Sequence, residues 1–238
     1  MMAVTNLPWL TRAQMVEVDR LMIEEWHISL AQMMENAGRN LAQLTRRLLD
    51  GNIADKRVVV LSGAGNNGGG GMVAARHLHN WGAQVAVVLV GSSDRLTGVP
   101  AQQYQIIHKM GLLAANPDLQ AADLIIDAII GYGLSGAPRP PAADWITRAN
   151  ESRAPILALD NPSGLDASSG VAYEPCIRAA ATLTLALPKQ GLRAPEAVPY
   201  VGALYLADIS VPPEVYAAPT LGLQVASPFQ AESIIQLT

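Results

Sequence analysis

Two periodicities divide the chain. Over roughly the first fifty residues, apolar positions recur at helical spacing. The segment "TRAQMVEVDRLMIEEW" sets Met15, Val18 and Met22 three and four residues apart, which places them on one face of a helix. "SLAQMMENAGRNLAQLTRRLL" opens with Ser29 and Gln32 in capping-box positions and then lines Met33, Ala37, Leu41, Leu44 and Leu48 along one face. Two N-terminal helices are predicted. Met33 and Met34 read as core packing, because a flexible thioether fills irregular gaps between elements.

From residue 58 the period changes. Short β-branched runs stand at 58–62, 84–90, 124–127, 156–160 and 181–187, with a weaker one at 203–206. Helical stretches at 71–81, 101–110 and 142–150 separate the earlier ones. Strands that are apolar almost throughout, alternating with helices, predict a mostly parallel sheet covered on both faces. The shorter connections of the last two strands point to an antiparallel edge. There is no internal repeat and no low-complexity linker, so one domain over 1–238 is the simplest reading.

Composition narrows the function. The 238 residues suffice for a large α/β domain, and with 50% hydrophobic and 15% charged residues the chain is expected to fold. A net charge of −4 without a dense Lys/Arg stripe argues against nucleic acid as a partner. The one cysteine, Cys176, excludes an internal disulfide framework and suits a reducing compartment. It reads as a small apolar filler, since no neighbouring residue would activate a thiolate. No segment is apolar for long enough to span a membrane, and "MMAVTNLPWLTRAQMVEVD" lacks the pattern of a secretion signal. A cytoplasmic location is expected. The histidines show no zinc spacing; His77 and His79 point in different directions from a helix and read as surface residues.

Candidate chemistry lies where strands end. After the run at 58–62, six glycines and two asparagines fall within nine residues. Gly63, Gly65 and Gly68 satisfy G-x-G-x-x-G, but the dinucleotide fingerprint also needs an acid at the end of the second strand. The nearest one, Asp94, lies beyond it. No Lys-Ser or Lys-Thr follows the glycines, so the P-loop pattern fails as well. The segment therefore reads as a loop that cradles an anion with backbone N–H groups at a helix N-terminus. A tight turn alone would not need so many glycines, each costing about 0.5–1 kcal/mol of ordering entropy.

Three further strand ends carry unusual residues. Asp127 is followed by Gly131, Gly133 and Gly136; Asp160 by Pro162, Ser163 and Gly164; the next strand leads to Lys189. In open α/β sheets ligands bind outside the carboxyl ends of the strands, so four such loops predict one shared cleft. Asn67, Asp127 and Ser163 offer oxygens with a single full negative charge, a set that suits a hard cation and not zinc. Asp160 and Lys189 are the titratable residues best placed for acid–base work. Each also has a plainer reading, Asp160 as a turn cap and Lys189 as the counter-charge of a phosphate.

The segments "MMENAG", "GNNGGGG", "DAIIGYGLSG", "LDNPSGLDASSG" and "LPKQGL", in this order and spacing, resemble the YjeF N-terminal domain family, whose enzymes are NAD(P)H-hydrate epimerases. The resemblance runs from about Gln14 to the strand near Leu206. It implies a Rossmann-like three-layer α/β/α sandwich with a mostly parallel sheet and two N-terminal helices. It also implies an isomerase that interconverts the R and S epimers of NADHX and NADPHX, the hydrated cofactors, so that an S-specific dehydratase can restore them. The dinucleotide would then be a substrate and not a redox cofactor.

By the same resemblance, Asn66, Asn67, Gly68, Gly69 and Gly70, together with Gly131, Tyr132, Gly133, Leu134, Ser135, Gly136 and Ala137, would hold the hydrate's phosphates. Asp160 would contact the reacting end, with Lys189 tuning it. Asn67, Asp127 and Ser163 would bind one potassium ion per subunit. The family's domain is often fused to the dehydratase, and the two N-terminal helices could support a homodimer. The sequence departs from the family at Gly70, where the usual loop carries Asp, and more mildly at Tyr132 (usually Thr) and Asn161 (usually aliphatic). A non-catalytic nucleotide-binding or scaffold domain is the alternative that Gly70 favours. A conventional NAD-dependent oxidoreductase is disfavoured by the missing acid after the second strand.

Overall fold

In the computed structural model, which describes residues 7–226 and 228–237, both N-terminal helices form and both begin with a capping box. Helix α1 (Arg12–Arg20) is capped by Thr11 and Gln14, and it runs on into one π turn over Leu21–Glu25. Helix α2 (Leu30–Leu48) is capped by Ser29 and Gln32 as the sequence predicts. The first six residues of the stretch read for a secretion signal lie outside the described residues.

Among the described residues the sheet has seven strands: β1 (Arg57–Ser62), β2 (Gln84–Leu89), β3 (Leu124–Ala128), β4 (Ile156–Leu159), β5 (Ala181–Leu185), β6 (Ala203–Ala207) and β7 (Ile234–Gln236). Their order is β2-β1-β3-β4-β5-β6-β7. All neighbours pair in parallel except β6 with β7. The chain moves outward from β1 to β2, then crosses back to β3 on the other side of β1. That reversal opens a crevice at the carboxyl ends of β1 and β3. Register keeps those ends level: Leu61 pairs with Asp127, Asp127 with Ala158, and Leu159 with Leu183.

Alternation along the strands builds the layers. Val58, Val60, Leu124 and Ile126 pack with α2, with α3 (Asn66–Asn80) and with α4 (Gly98–Lys109), through Leu41, Leu44, Met72 and Ile107. Val59, Leu61, Ile125 and Ala158 face the other way, onto Ile146 and Ala149 of α5 (Ala142–Asn150), onto Leu119 of a 3₁₀ turn and onto Ile177. The result is the expected three-layer sandwich.

Three expectations need correction. The last two predicted strands, β5 and β6, run parallel, because short 3₁₀ and one-turn helical pieces between 190 and 201 carry the chain back across. The antiparallel edge is β7, three residues long and too short to leave an alternation signal. Helix α3 starts at Asn66 and not at 71, so Gly68, Gly69, Gly70 and Gly71 lie inside its first turns. Third, His77 is only 8% exposed and its Nε2 lies 2.8 Å from Glu35 Oε1 of α2, because α3 is covered by α2 on this side. His79 is exposed as expected, and Cys176 is buried, its thiol pushed up to about 12 by burial. Among the described residues no helix is long and apolar enough to cross a membrane.

Candidate active site

A cavity of about 370 Å³ opens where the carboxyl ends of β1, β3, β4 and β5 meet α1 and α2. Its size is within the range of small-molecule sites. Met15, Met33, Met34, Ile129 and Leu159 supply apolar walls, whereas Asp19, Asn66, Asn67, Tyr132, Asp160 and Lys189 supply polar ones. Met33 and Met34 are buried, as expected of core residues, but they also wall this cavity, a role that helical spacing alone did not reveal.

Asp160 follows the last residue of β4 with φ +65°. A non-glycine residue in this left-handed region costs of order 1–3 kcal/mol and persists only where its surroundings fix it. Here its N–H donates to Leu183 O at 2.7 Å, its Oδ2 accepts the Tyr132 N–H at 3.2 Å, and its Oδ1 accepts from Lys189 Nζ. Lys189 also donates to Leu185 O at 2.9 Å and to Thr184 Oγ1 at 3.2 Å, which occupies all three ammonium protons. The lysine is anchored from outside the sheet. The Leu10 N–H donates to Pro188 O at 2.8 Å and the Gln190 N–H donates to Leu10 O at 2.9 Å, so the chain just before α1 lies alongside the lysine's own backbone.

Asp127 is completely buried. Its Oδ1 accepts the Ser163 hydroxyl at 2.6 Å and the Ile129 N–H at 3.2 Å, and its Oδ2 accepts the Ser163 N–H at 2.8 Å. Burial raises its pKa to about 6, with the Ser163 hydrogen bonds pulling the other way. No cationic side chain among the described residues pairs with it. Ile130 joins the cluster: its N–H donates to Ser163 Oγ at 2.9 Å, and its carbonyl oxygen lies 3.2 Å from the same atom. Asn67, on α3, makes no hydrogen bond to this cluster's side chains among the described residues; it stands beside Gly131. A Cβ at Gly131 would lie 3.2 Å from both Asn67 Oδ1 and Asp160 Oδ2, so those oxygens converge closely over this glycine. Asn67 Nδ2 is buried without a hydrogen-bond partner among the described residues. A set of oxygens carrying one carboxylate charge fits a monovalent hard cation, whereas the orphan amide N–H of Asn67 fits a hydrogen-bond acceptor on a ligand.

The predicted glycine segments divide. Asn66 and Asn67 begin α3 on the cavity rim, and Gly70 also lines the cavity. Gly68 and Gly69 do not; a Cβ at Gly68 would lie 1.8 Å from Gly63 O, so its role is to let the helix sit against the preceding loop. Gly131, Tyr132 and Gly133 line the cavity, whereas Leu134, Ser135, Gly136 and Ala137 do not. Leu134 is buried and its carbonyl accepts from Arg12 Nη1 at 3.2 Å; Ser135 and Ala137 are exposed. The sequence reading missed Asp19, which lies on the buried face of α1, four residues after Met15 and three before Met22. A carboxylate on the apolar stripe of a helix was the available signal.

Strand order, switch-point crevice and polar cluster define a doubly wound α/β protein with a small-molecule site at the carboxyl edge of its sheet. Residues 30–191 match the family described as YjeF-related protein N-terminus, and the chain belongs to that family. It is 43% identical over 228 residues to the NAD(P)H-hydrate epimerase of Dehalogenimonas lykanthroporepellens, covering 94% of this chain and 90% of the relative. It is 38% identical over 218 residues to the bifunctional NAD(P)H-hydrate repair enzyme Nnr of Moorella thermoacetica, covering 87% of this chain but 41% of that longer protein. The crystal structure of the yeast protein YNL200c superposes with a TM-score of 0.81 at 25% identity, covering 97% of this chain and 100% of the yeast chain.

Proposed function

We propose that this chain is an NAD(P)H-hydrate epimerase that interconverts the R and S forms of NADHX and NADPHX. The observation that carries the reading is Asp160, held at a left-handed φ over Gly131 by Lys189 and the Tyr132 N–H, with its carboxylate on the cavity. The nicotinamide end enters between the methionines and Leu159 and brings its hydroxyl-bearing carbon to Asp160. The ring nitrogen's lone pair expels the hydroxyl and leaves an iminium ion, and water returns on the other face. Asp160 exchanges a proton with the hydroxyl or the water, and its charge stabilises the cation. Lys189 orients the carboxylate.

The N–H groups of the first turn of α3, from Asn66, lack helical partners and favour the substrate's phosphates. Asp127, Ser163 and Asn67 would hold potassium, which supplies positive charge beside that anion. The bifunctional relatives carry the name of a repair enzyme, and an S-specific dehydratase is the functional partner in this reading. A homodimer would use Val16, Ile23 and Trp26, exposed on α1, on its π turn and just after it. The buried lone cysteine suits the cytoplasm. The test follows an R/S hydrate mixture with an S-specific dehydratase. Full conversion at a rate proportional to this protein supports the reading, and half-conversion followed by spontaneous drift overturns it.

A further inference from the structure

We propose that Asp19 is a second acid–base group of this site, serving the face of the nicotinamide ring opposite the one served by Asp160. The inference rests on the epimerase reading and adds a residue to it. Asp19 comes from α1 and Asp160 from the end of β4, yet both line the same cavity. One tyrosine spaces them. The Tyr132 N–H donates to Asp160 Oδ2 at 3.2 Å, and its hydroxyl, at the far end of the residue, donates to Asp19 Oδ2 at 2.5 Å. The carboxyl groups thus sit on separate walls, a tyrosine's length apart. Asp160 has both oxygens engaged. Asp19 Oδ1 bonds no described residue and is left for a ligand.

The reaction calls for such a pair. A hydroxyl leaves from one face of a planar cation and water adds to the other, so proton transfer is needed on both sides. A single carboxyl fixed at a strand end reaches one side only. Burial raises the pKa of Asp19 despite the Tyr132 hydrogen bond, which favours its protonated form. Asp160, hydrogen-bonded to Lys189 and to the Tyr132 N–H, is the partner placed to take up the other proton.

For one epimer the C–O bond breaks as Asp19 gives its proton to the departing oxygen, which leaves as water. The nitrogen lone pair becomes the C=N bond. On the opposite face a water oxygen bonds to the same carbon, the C=N pair returns to nitrogen, and the water's proton passes to Asp160. Nothing is oxidised or reduced. The protein ends with Asp19 ionised and Asp160 protonated, which is the form that accepts the other epimer.

The test offers each pure epimer to the intact protein in ¹⁸O-labelled water and measures inversion and label uptake separately. Asp19→Asn keeps an acceptor for Tyr132. It is expected to lose inversion by roughly 10²-fold or more, while one epimer still exchanges its hydroxyl with retention through Asp160. Asp160→Asn should show the mirror pattern in the other epimer. Tyr132→Phe, which leaves both carboxyls, should reduce inversion more than exchange. An Asp19→Asn protein that inverts at nearly the parent rate, or that loses exchange equally in both epimers while remaining folded, overturns the inference. A parent protein that neither inverts nor exchanges overturns the epimerase reading itself.

Discussion

Lys189 donates to Asp160 Oδ1 in the interior, with side-chain exposures of 0% and 5%. Removing one member of a buried pair strands the other charge, typically at a cost of roughly 3–5 kcal/mol. Lys189→Met and Asp160→Asn should each lower the urea midpoint, and the double variant should lose less than their sum. Asp160→Asn should abolish epimerisation and leave nucleotide binding largely intact. Strictly additive losses, measured by denaturant titration, would show that the two groups are not coupled.

Asp127 yields a prediction about pH and potassium. Its carboxyl rises from 3.8 to about 6 on folding, so between these values the folded protein holds more protons than the unfolded one. Stability then falls as pH rises through that window, and without a cation the deficit at pH 7 is roughly 3 kcal/mol. Potassium on the ionised carboxylate offsets the deficit. Potassium chloride should raise Tm at pH 7.5 relative to choline chloride of equal ionic strength, and much less at pH 5. Asp127→Asn should remove that response. Identical melting curves in the two salts would sink the cation assignment.

Two neighbouring glycines should answer substitution differently. A Cβ at Gly68 meets backbone oxygen at 1.8 Å, whereas one at Gly70 meets only the Leu159 Cδ2 atom at 2.9 Å. Gly68→Ala should cost about 3 kcal/mol, the upper range for overpacking, and Gly70→Ala about 1 kcal/mol. Since Gly70 lines the cavity, Gly70→Asp should fold and alter KM more than stability. A Gly70→Asp protein with unchanged kinetics would show that the position is idle.

What the sequence made legible follows from how each signal arises. Continuous apolar strands and capped helices are local patterns, and the fold was readable from them. Asp160 and Lys189 were readable because strand ends in such sheets converge, whereas Asp127 and Ser163, expected in the same cleft, are buried and do not line the cavity. The glycine run misled about the start of α3, since glycine lowers helix propensity, and here tertiary contact with the Gly63 loop outweighs it. The roof of the cavity was invisible because Met15, Asp19 and Met33 come from helices whose placement over the sheet depends on long-range packing. Asp19 needed only one further step, to ask why a charge sits on the buried stripe of α1.

The hydrogen bonds between Leu10 and the backbone flanking Lys189 make the segment just before α1 a strap on the loop that carries the lysine. A molecule seated between α1 and the sheet therefore fastens that strap. Occupancy of the chamber becomes readable from afar, as slower deuterium uptake at the Leu10 and Gln190 amides.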